Sequence, residues 1–152
     1  MMNSIFIREA EINDSAVIAD FQLRMALETE SLELVKEVVE KGVEAVFKNP
    51  SLGKYYVAHH GEKVVASLLT TYEWSDWRNS TVWWIQSVYV MPTYRRKGLF
   101  SRFYQYLTDA AMNNSEVGGI RLYVDKTNLI AQKTYTKVGM NGEHYQLFEW
   151  LK

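Results

Sequence analysis

Gln86-Ser87-Val88-Tyr89-Val90-Met91-Pro92-Thr93-Tyr94-Arg95-Arg96-Lys97-Gly98-Leu99-Phe100-Ser101 reads as a buried strand, a short basic turn and the first residues of a helix. A strand that runs into a helix through a basic, glycine-containing turn is suited to hold phosphate groups. The first amides of a helix have no partner inside it and point at the turn. The helix dipole adds partial positive charge at the same spot. Gly98 lets the backbone approach a ligand with no Cβ in the way. Arg95, Arg96 and Lys97 place full charges around those amides. The competing reading of the same residues is a basic surface turn that precedes a helix.

On the N-terminal side of the turn, Thr81 to Val90 is apolar almost throughout, which predicts a long central strand. On its C-terminal side, Leu99, Phe100, Phe103, Tyr104, Leu107, Ala110 and Ala111 form one helical face. Asn113-Asn114-Ser115 and Gly118-Gly119 punctuate the end of that helix, and Ile120 to Val124 is the next strand. Asp125 to Asn128 leads into a short helix through Ala131 and Tyr135, with Gly139 as its C-terminal cap. Tyr145 to Trp150 reads as a closing strand.

Upstream, Glu73 to Ser80 breaks the apolar pattern as a polar loop carrying Trp74 and Trp77. Tyr55 to His59 and Lys63 to Tyr72 form a hairpin around Gly61. Val35, Val38, Val39, Val43, Val46 and Phe47 recur at helical spacing until Asn49-Pro50 stops them. Asn13-Asp14-Ser15 offers N-caps to an earlier helix through Val17, Ile18, Phe21 and Met25. Ile5 to Arg8 is the first strand. No repeat or linker divides the chain, so residues 1–152 are expected to form one α/β domain with a mixed sheet.

A chain of 152 residues suits one substantial core, and 47% hydrophobic residues is ordinary for a globular protein. A net charge of -1 gives no bulk attraction to nucleic acid or anionic membrane, so any anion site must be local. With no Cys, disulfides, thiolate catalysis and Cys-based zinc sites are excluded; the composition fits a reducing cytoplasm. His59, His60 and His144 lack ligand-like clustering, so no metal is expected. No apolar run approaches the roughly 20 residues of a membrane span. The start, Met1 to Ile7, lacks the basic and long apolar regions of a signal peptide.

Two blocks of the sequence resemble the GNAT superfamily of N-acetyltransferases. The first is Val88-Tyr89-Val90 followed by Arg95-Arg96-Lys97-Gly98-Leu99-Phe100. There the family pattern is Gln or Arg, any two residues, Gly, any residue, then Gly or Ala. The second is Asn128-Leu129-Ile130-Ala131-Gln132-Lys133-Thr134-Tyr135-Thr136-Lys137-Val138-Gly139-Met140, which carries the family's Asn, Ala, Tyr and Gly at the expected spacing. Phe100 departs from the family's small residue, and Met140 stands where Phe is usual.

The resemblance implies a mostly antiparallel central sheet with helices on both faces and a splayed parallel strand pair. It also implies acetyl-coenzyme A as co-substrate in the splay. Backbone groups of Val88 and Val90, flanking Tyr89, would pair with the pantetheine arm. The amides of Arg96, Lys97, Gly98, Leu99, Phe100 and Ser101 would cradle the pyrophosphate beside Arg95. Asn128 would meet the arm from the other side, and Tyr135 would sit near the thioester sulfur.

The implied chemistry assigns three tasks. A cationic amine with a pKa near ~10 must lose a proton before it attacks. The thioester oxygen gains negative charge, which the Val88 amide would stabilise. The leaving thiolate benefits from an acid, and Tyr135 is assigned that role; its competing reading is a helix Tyr with the ring in the core. Many family members carry a Glu base on the central strand, but here Trp83-Trp84-Ile85-Gln86-Ser87 has no carboxylate. Glu73 is the nearest candidate by topology, against a solvated loop carboxylate or ordered water.

Glu28, Glu30 and Glu33 read as a solvated face or a rim that attracts cations. Trp74, Trp77, Trp83 and Trp84 could wall an acceptor pocket, although Trp83 and Trp84 point to opposite faces of one strand. The expected reaction is acetyl transfer to a small-molecule amine. The alternatives are a protein lysine or N-terminal acetyltransferase and a non-catalytic acyl-coenzyme A-binding module. The aromatic load and the resemblance together suggest a homodimer.

Overall fold

The computed structural model describes residues 4–152 and contains β1 (Ile5–Glu9), α1 (Ser15–Glu30), α2 (Lys36–Lys48), β2 (Lys54–His60), β3 (Lys63–Ser75), β4 (Ser80–Val90), α3 (Leu99–Met112), β5 (Val117–Arg121) and α4 (Leu129–Lys137). Met1, Met2 and Asn3, part of the stretch read above against a signal peptide, lie outside the described residues. The strands are ordered β1-β2-β3-β4-β5 in one sheet. All neighbours are antiparallel except β4 and β5, which run parallel. The chain divides into two compact units, one ending at Arg121 and one running from Leu122 to Lys152. All five strands and the first three helices belong to the first unit.

Side chains alternate across the sheet and give it two apolar faces. Tyr55 and Val57 point to one face and form a buried cluster with Ile18 and Ala19 of α1 and Val43 of α2. Tyr56, between them, points the other way and meets Tyr106 of α3 edge-on at 5.8 Å. Phe103 and Leu107 of α3 are fully buried. Burial pushes the Tyr55 and Tyr56 hydroxyls up to about 12.

The helix ends follow local rules. Ser31, left-handed at φ 51°, stops α1 while its amide and that of Leu32 bond back to Leu27 O and Ala26 O. Asn49 caps α2 just before Pro50, as the sequence predicts. Asp14 has a different task from capping α1: it accepts from the Glu11 amide and pairs with Arg8 at 2.8 Å. Burial would raise its pKa, but these bonds prevail and hold its carboxyl below the usual range.

Four expectations are corrected. Glu73 to Ser75 continue β3, where Trp74 pairs with Thr81 and Ser75 with Ser80, so the polar loop shrinks to the turn at residues 76–79. Cross-strand pairing overrides the polar composition there. Gly118-Gly119 lie inside β5. A Cβ at Gly118 would run into the Ser80 side chain, so glycine is what lets β5 close on β4. Residues 122–124 lie outside the strand expected to include them. Tyr145 to Trp150 has irregular backbone, with Tyr145, Phe148 and Trp150 exposed. Alternating apolar residues become a strand only where a ladder neighbour accepts them.

Candidate active site

Strand β4 changes phase in its second half. The Thr81 amide donates to Glu116 O, toward β5, whereas the Met91 amide donates to Val65 O, toward β3. In an unbroken strand, two residues separated by an even number of positions point their amides the same way. One extra residue must therefore lie between them. The register shows it: Leu68 alone stands opposite Ser87 and Val88. Ser87 absorbs the kink in the left-handed region at φ 52°. After this bulge, the backbone groups of Val88 and Val90 face the β5 side. Strand β5 pairs with β4 only from Thr81 to Trp84, so Val88 and Val90 lie beyond the reach of that ladder.

The basic turn follows. Pro92–Tyr94 form a 3-10 turn, Arg96 is left-handed at φ 60°, and Gly98 is left-handed at φ 76°. The first bond inside α3 runs from the Arg102 amide to Gly98 O, so the amides of Gly98, Leu99 and Ser101 project from the helix end. A Cβ at Gly98 would meet nothing within 4 Å. These features fit a diphosphate: amides without helical partners stand at the helix start, the approach at Gly98 is open and the dipole favours negative charge. Leu99 buries its side chain in the core, leaving only backbone for a ligand. Phe100 stacks on Tyr104 at 6.3 Å, so its ring is turned along the helix.

Arg95 and Tyr89 are placed differently from a simple ligand shell. Arg95 Nε donates to Val90 O at 2.8 Å, and Arg95 Nη2 meets Glu28 Oε2 at 2.7 Å. Its guanidinium also lies 5.4 Å from the centre of the Tyr89 ring. Tyr89 packs on Phe21 and donates its hydroxyl to Glu28 Oε1 at 3.1 Å. Paired with Ser67 of β3, Tyr89 also turns its backbone away from the β5 side. The hydrogen bond from Arg95 leads the effects that hold the Glu28 carboxyl below its ordinary range, while burial and Glu28 raise Tyr89. Lys97 holds its ammonium 5.8 Å from the Tyr94 ring centre.

Upstream of the bulge, opposite residues of β3, β4 and β5 share the α1–α2 face. Leu69 packs against the helix cluster, which sets the phase for Thr71 and Glu73. Their partners Gln86, Trp84 and Val82 therefore line the same face, together with Arg121 beside Trp84. Gln86 Nε2 donates to Thr71 Oγ1, and Arg121 Nη1 bonds Glu73 Oε1. Trp84 occupies the middle of this polar floor, and Trp83 lies on the α3 face. Glu73 is level with Val82. Allowing for the bulge, that is roughly 17 Å along the strand from Val88. A carboxylate that far away cannot take a proton at Val88 directly. Trp74 and Trp77 at the hairpin are exposed, 63% and 90%.

In the second unit, Asn128 caps α4: its Oδ1 accepts from the Ala131 amide at 3.1 Å. Its side-chain N–H groups have no protein acceptor among the described residues. Gly139, at φ 95°, ends the helix as expected, with the Met140 amide returning to Tyr135 O. Burial pushes the Tyr135 hydroxyl above the ordinary tyrosine range. Among the described residues no group of His, Asp or Glu side chains is arranged to hold a metal, and no helix is long and apolar enough to cross a membrane.

A bulged central strand, a parallel neighbour that leaves its second half, and a helix opening on projecting amides make up the mixed α/β sheet with a splayed parallel pair that the resemblance implies. The Acetyltransferase (GNAT) family model matches residues 10–140. The chain belongs to this family and is an acetyltransferase that uses acetyl-coenzyme A. A possible acetyltransferase from Clostridium difficile 630 is 43% identical, with 97% of each chain covered and a TM-score of 0.90. A predicted acetyltransferase from Clostridium acetobutylicum, solved with acetyl-CoA, is 15% identical, with 95% of this chain and 96% of that one covered at a TM-score of 0.74. Glucosamine-6-phosphate N-acetyltransferase from Arabidopsis thaliana is 19% identical, with 97% and 99% covered and a TM-score of 0.72. No curated protein matches.

Proposed function

We propose that this chain acetylates the amine of a small polar molecule. The observation that carries the proposal is the sheet face beside α1 and α2, where Gln86–Thr71 and Glu73–Arg121 flank Trp84. A floor of paired polar groups that includes a carboxylate suits a polar, cationic acceptor. Acetyl-coenzyme A supplies the activated acetyl group. The backbone of Val88 and Val90 would hold its pantetheine arm, and the amides around Gly98 its pyrophosphate. The Val88 amide would stabilise negative charge on the carbonyl oxygen. Asn128 would donate its remaining side-chain N–H groups to the arm. Tyr135, kept protonated by burial, would donate a proton toward the leaving sulfur.

Glu73 receives a revised role in this proposal. Its carboxylate is engaged by Arg121 and lies too far along the sheet for direct proton transfer. It would draw the cationic amine to the floor, and water would take the amine's proton. Glu73→Gln is then expected to raise the amine KM several-fold while kcat stays within about twofold, as removal of uniform binding does. Steady-state kinetics with saturating acetyl-coenzyme A measures this. A large fall in kcat with an unchanged amine KM would return the base role to Glu73.

The reaction class and acceptor are tested by thiol release from acetyl-coenzyme A across matched panels of small amines and lysine or N-terminal peptides. Turnover with small amines and none with peptides is expected. Turnover confined to peptides would establish protein acetylation, and binding without turnover on either panel would leave an acyl-coenzyme A-binding module. A cytoplasmic location belongs to the same proposal, in keeping with the cysteine-free sequence.

A further inference from the structure

Glu28 stands in the last turn of α1 and holds two groups distant from it in sequence. Its Oε1 accepts from the Tyr89 hydroxyl at 3.1 Å, and its Oε2 accepts from Arg95 Nη2 at 2.7 Å. Arg95 in turn donates through Nε to Val90 O at 2.8 Å and lies over the Tyr89 ring. The carboxylate, guanidinium and phenol thus form a closed clamp. It joins α1, the end of β4 and the start of the basic turn. Each anchoring residue is close in the chain to a group proposed for acetyl-coenzyme A: Tyr89 follows Val88, Val90 is itself assigned to the arm, and Arg95 opens the turn that ends at Gly98.

We propose that Glu28 is a positioning residue for acetyl-coenzyme A: it holds Arg95 against Val90 and thereby fixes the pyrophosphate turn relative to the arm-binding end of β4. This rests on the assignment of Val88, Val90 and Gly98 to the cofactor. Two observations separate it from an ordinary surface ion pair. The guanidinium is divided between a carboxylate and a backbone carbonyl, a geometry that fixes its plane. The carboxylate is also shared with a buried tyrosine whose ring is packed on Phe21, so the clamp is anchored in the core. The Glu28 and Arg95 side chains remain 39% and 42% exposed. Exposed pairs add little to stability. The effect of removing Glu28 therefore falls on ligand affinity more than on folding.

The sequence conceals this role because Arg95 reads as a phosphate ligand and Glu28 as one of several rim carboxylates. In the structure Arg95 already has protein partners, so it shapes the turn and the amides around Gly98 receive the phosphates.

The test is calorimetry with coenzyme A and steady-state kinetics on the full chain for Glu28→Gln, Arg95→Gln, the double variant and Tyr89→Phe, with Gly98→Glu as reference. Glu28→Gln is expected to weaken coenzyme A about tenfold and raise the acetyl-coenzyme A KM in parallel. The amine KM should be unchanged, kcat should stay within about twofold, and the melting temperature should move little. The double variant should be no weaker than Arg95→Gln, because both remove one clamp. Tyr89→Phe should show a smaller loss in the same parameter. Unchanged affinity in Glu28→Gln overturns the proposal. So does tighter binding, which would make Glu28 a mask over a phosphate-binding Arg95, and so do additive losses in the double variant. If Gly98→Glu binds coenzyme A normally, the cofactor assignment itself has failed.

Discussion

Gly98→Glu is expected to abolish coenzyme A binding in a protein that still folds. Two effects act at this position. The first is backbone strain: Gly98 is left-handed at φ 76°, which costs a residue with a Cβ about 1–2 kcal/mol. The second is charge. A carboxylate about 4 Å from a phosphate oxygen, at an effective dielectric near 20, costs about 4 kcal/mol, on the order of 10³-fold in affinity. Space does not limit the substitution, since a Cβ at this position meets nothing within 4 Å. Gly98→Ala separates the effects, because it carries the strain without the charge. Calorimetry should show a modest loss for Ala and no measurable binding for Glu, with circular dichroism confirming both folds. Unchanged coenzyme A affinity in folded Gly98→Glu would remove the turn from the cofactor site.

Tyr135→Phe is expected to lower kcat by about 10²-fold while the coenzyme A affinity stays near wild type, the size of a typical proton-transfer contribution. Burial raises the Tyr135 pKa, so the hydroxyl keeps its proton at neutral pH and beyond the alkaline point at which a free tyrosine ionises. The sign of the pH dependence follows. As pH falls, solvent supplies protons more readily and the gap between variant and wild type narrows. As pH rises past the elevated Tyr135 pKa, the wild type loses its donor and the gap narrows again. Pre-steady-state measurement of acetyl transfer over this range isolates the step from product release. Equal rates at all pH values would make Tyr135 a packing residue and leave the thiolate to water.

Much of this arrangement could be read from residue types. Gly98 between Lys97 and a helical apolar face announces a turn with a left-handed residue, and the structure has one there. Asn128 and Gly139 mark the two ends of α4 by their own chemistry. Features that depend on register could not be read. Ser87 carries the bulge, yet serine has no preference for positive φ that would announce it. The pairing of Glu73 with Arg121 needs three strands aligned across the sheet before the two side chains meet. Glu28 and Arg95 are equally remote in sequence and come together only when α1 has packed on β4. Gly118 looked like punctuation because a glycine that permits close strand contact is indistinguishable, in sequence, from one that ends a helix.

The bulge at Ser87 makes β4 a joint between two rulers offset by one mark. Before it, odd-numbered residues turn their amides toward β5; after it, even-numbered ones do. The edge proposed here to hold acetyl-coenzyme A is thus encoded by length as much as by residue identity. Substitutions at Val88 or Val90 that keep an extended backbone leave their amides aimed as before, so drift in side-chain identity there is cheap. Losing a single residue at the joint would realign the rulers and turn those amides into the sheet, with Val90, Gly98 and the rest of the proposed cofactor residues all retained. Relatives of this chain that keep the core but have lost acetyl transfer are therefore best sought by counting residues between Trp84 and Pro92.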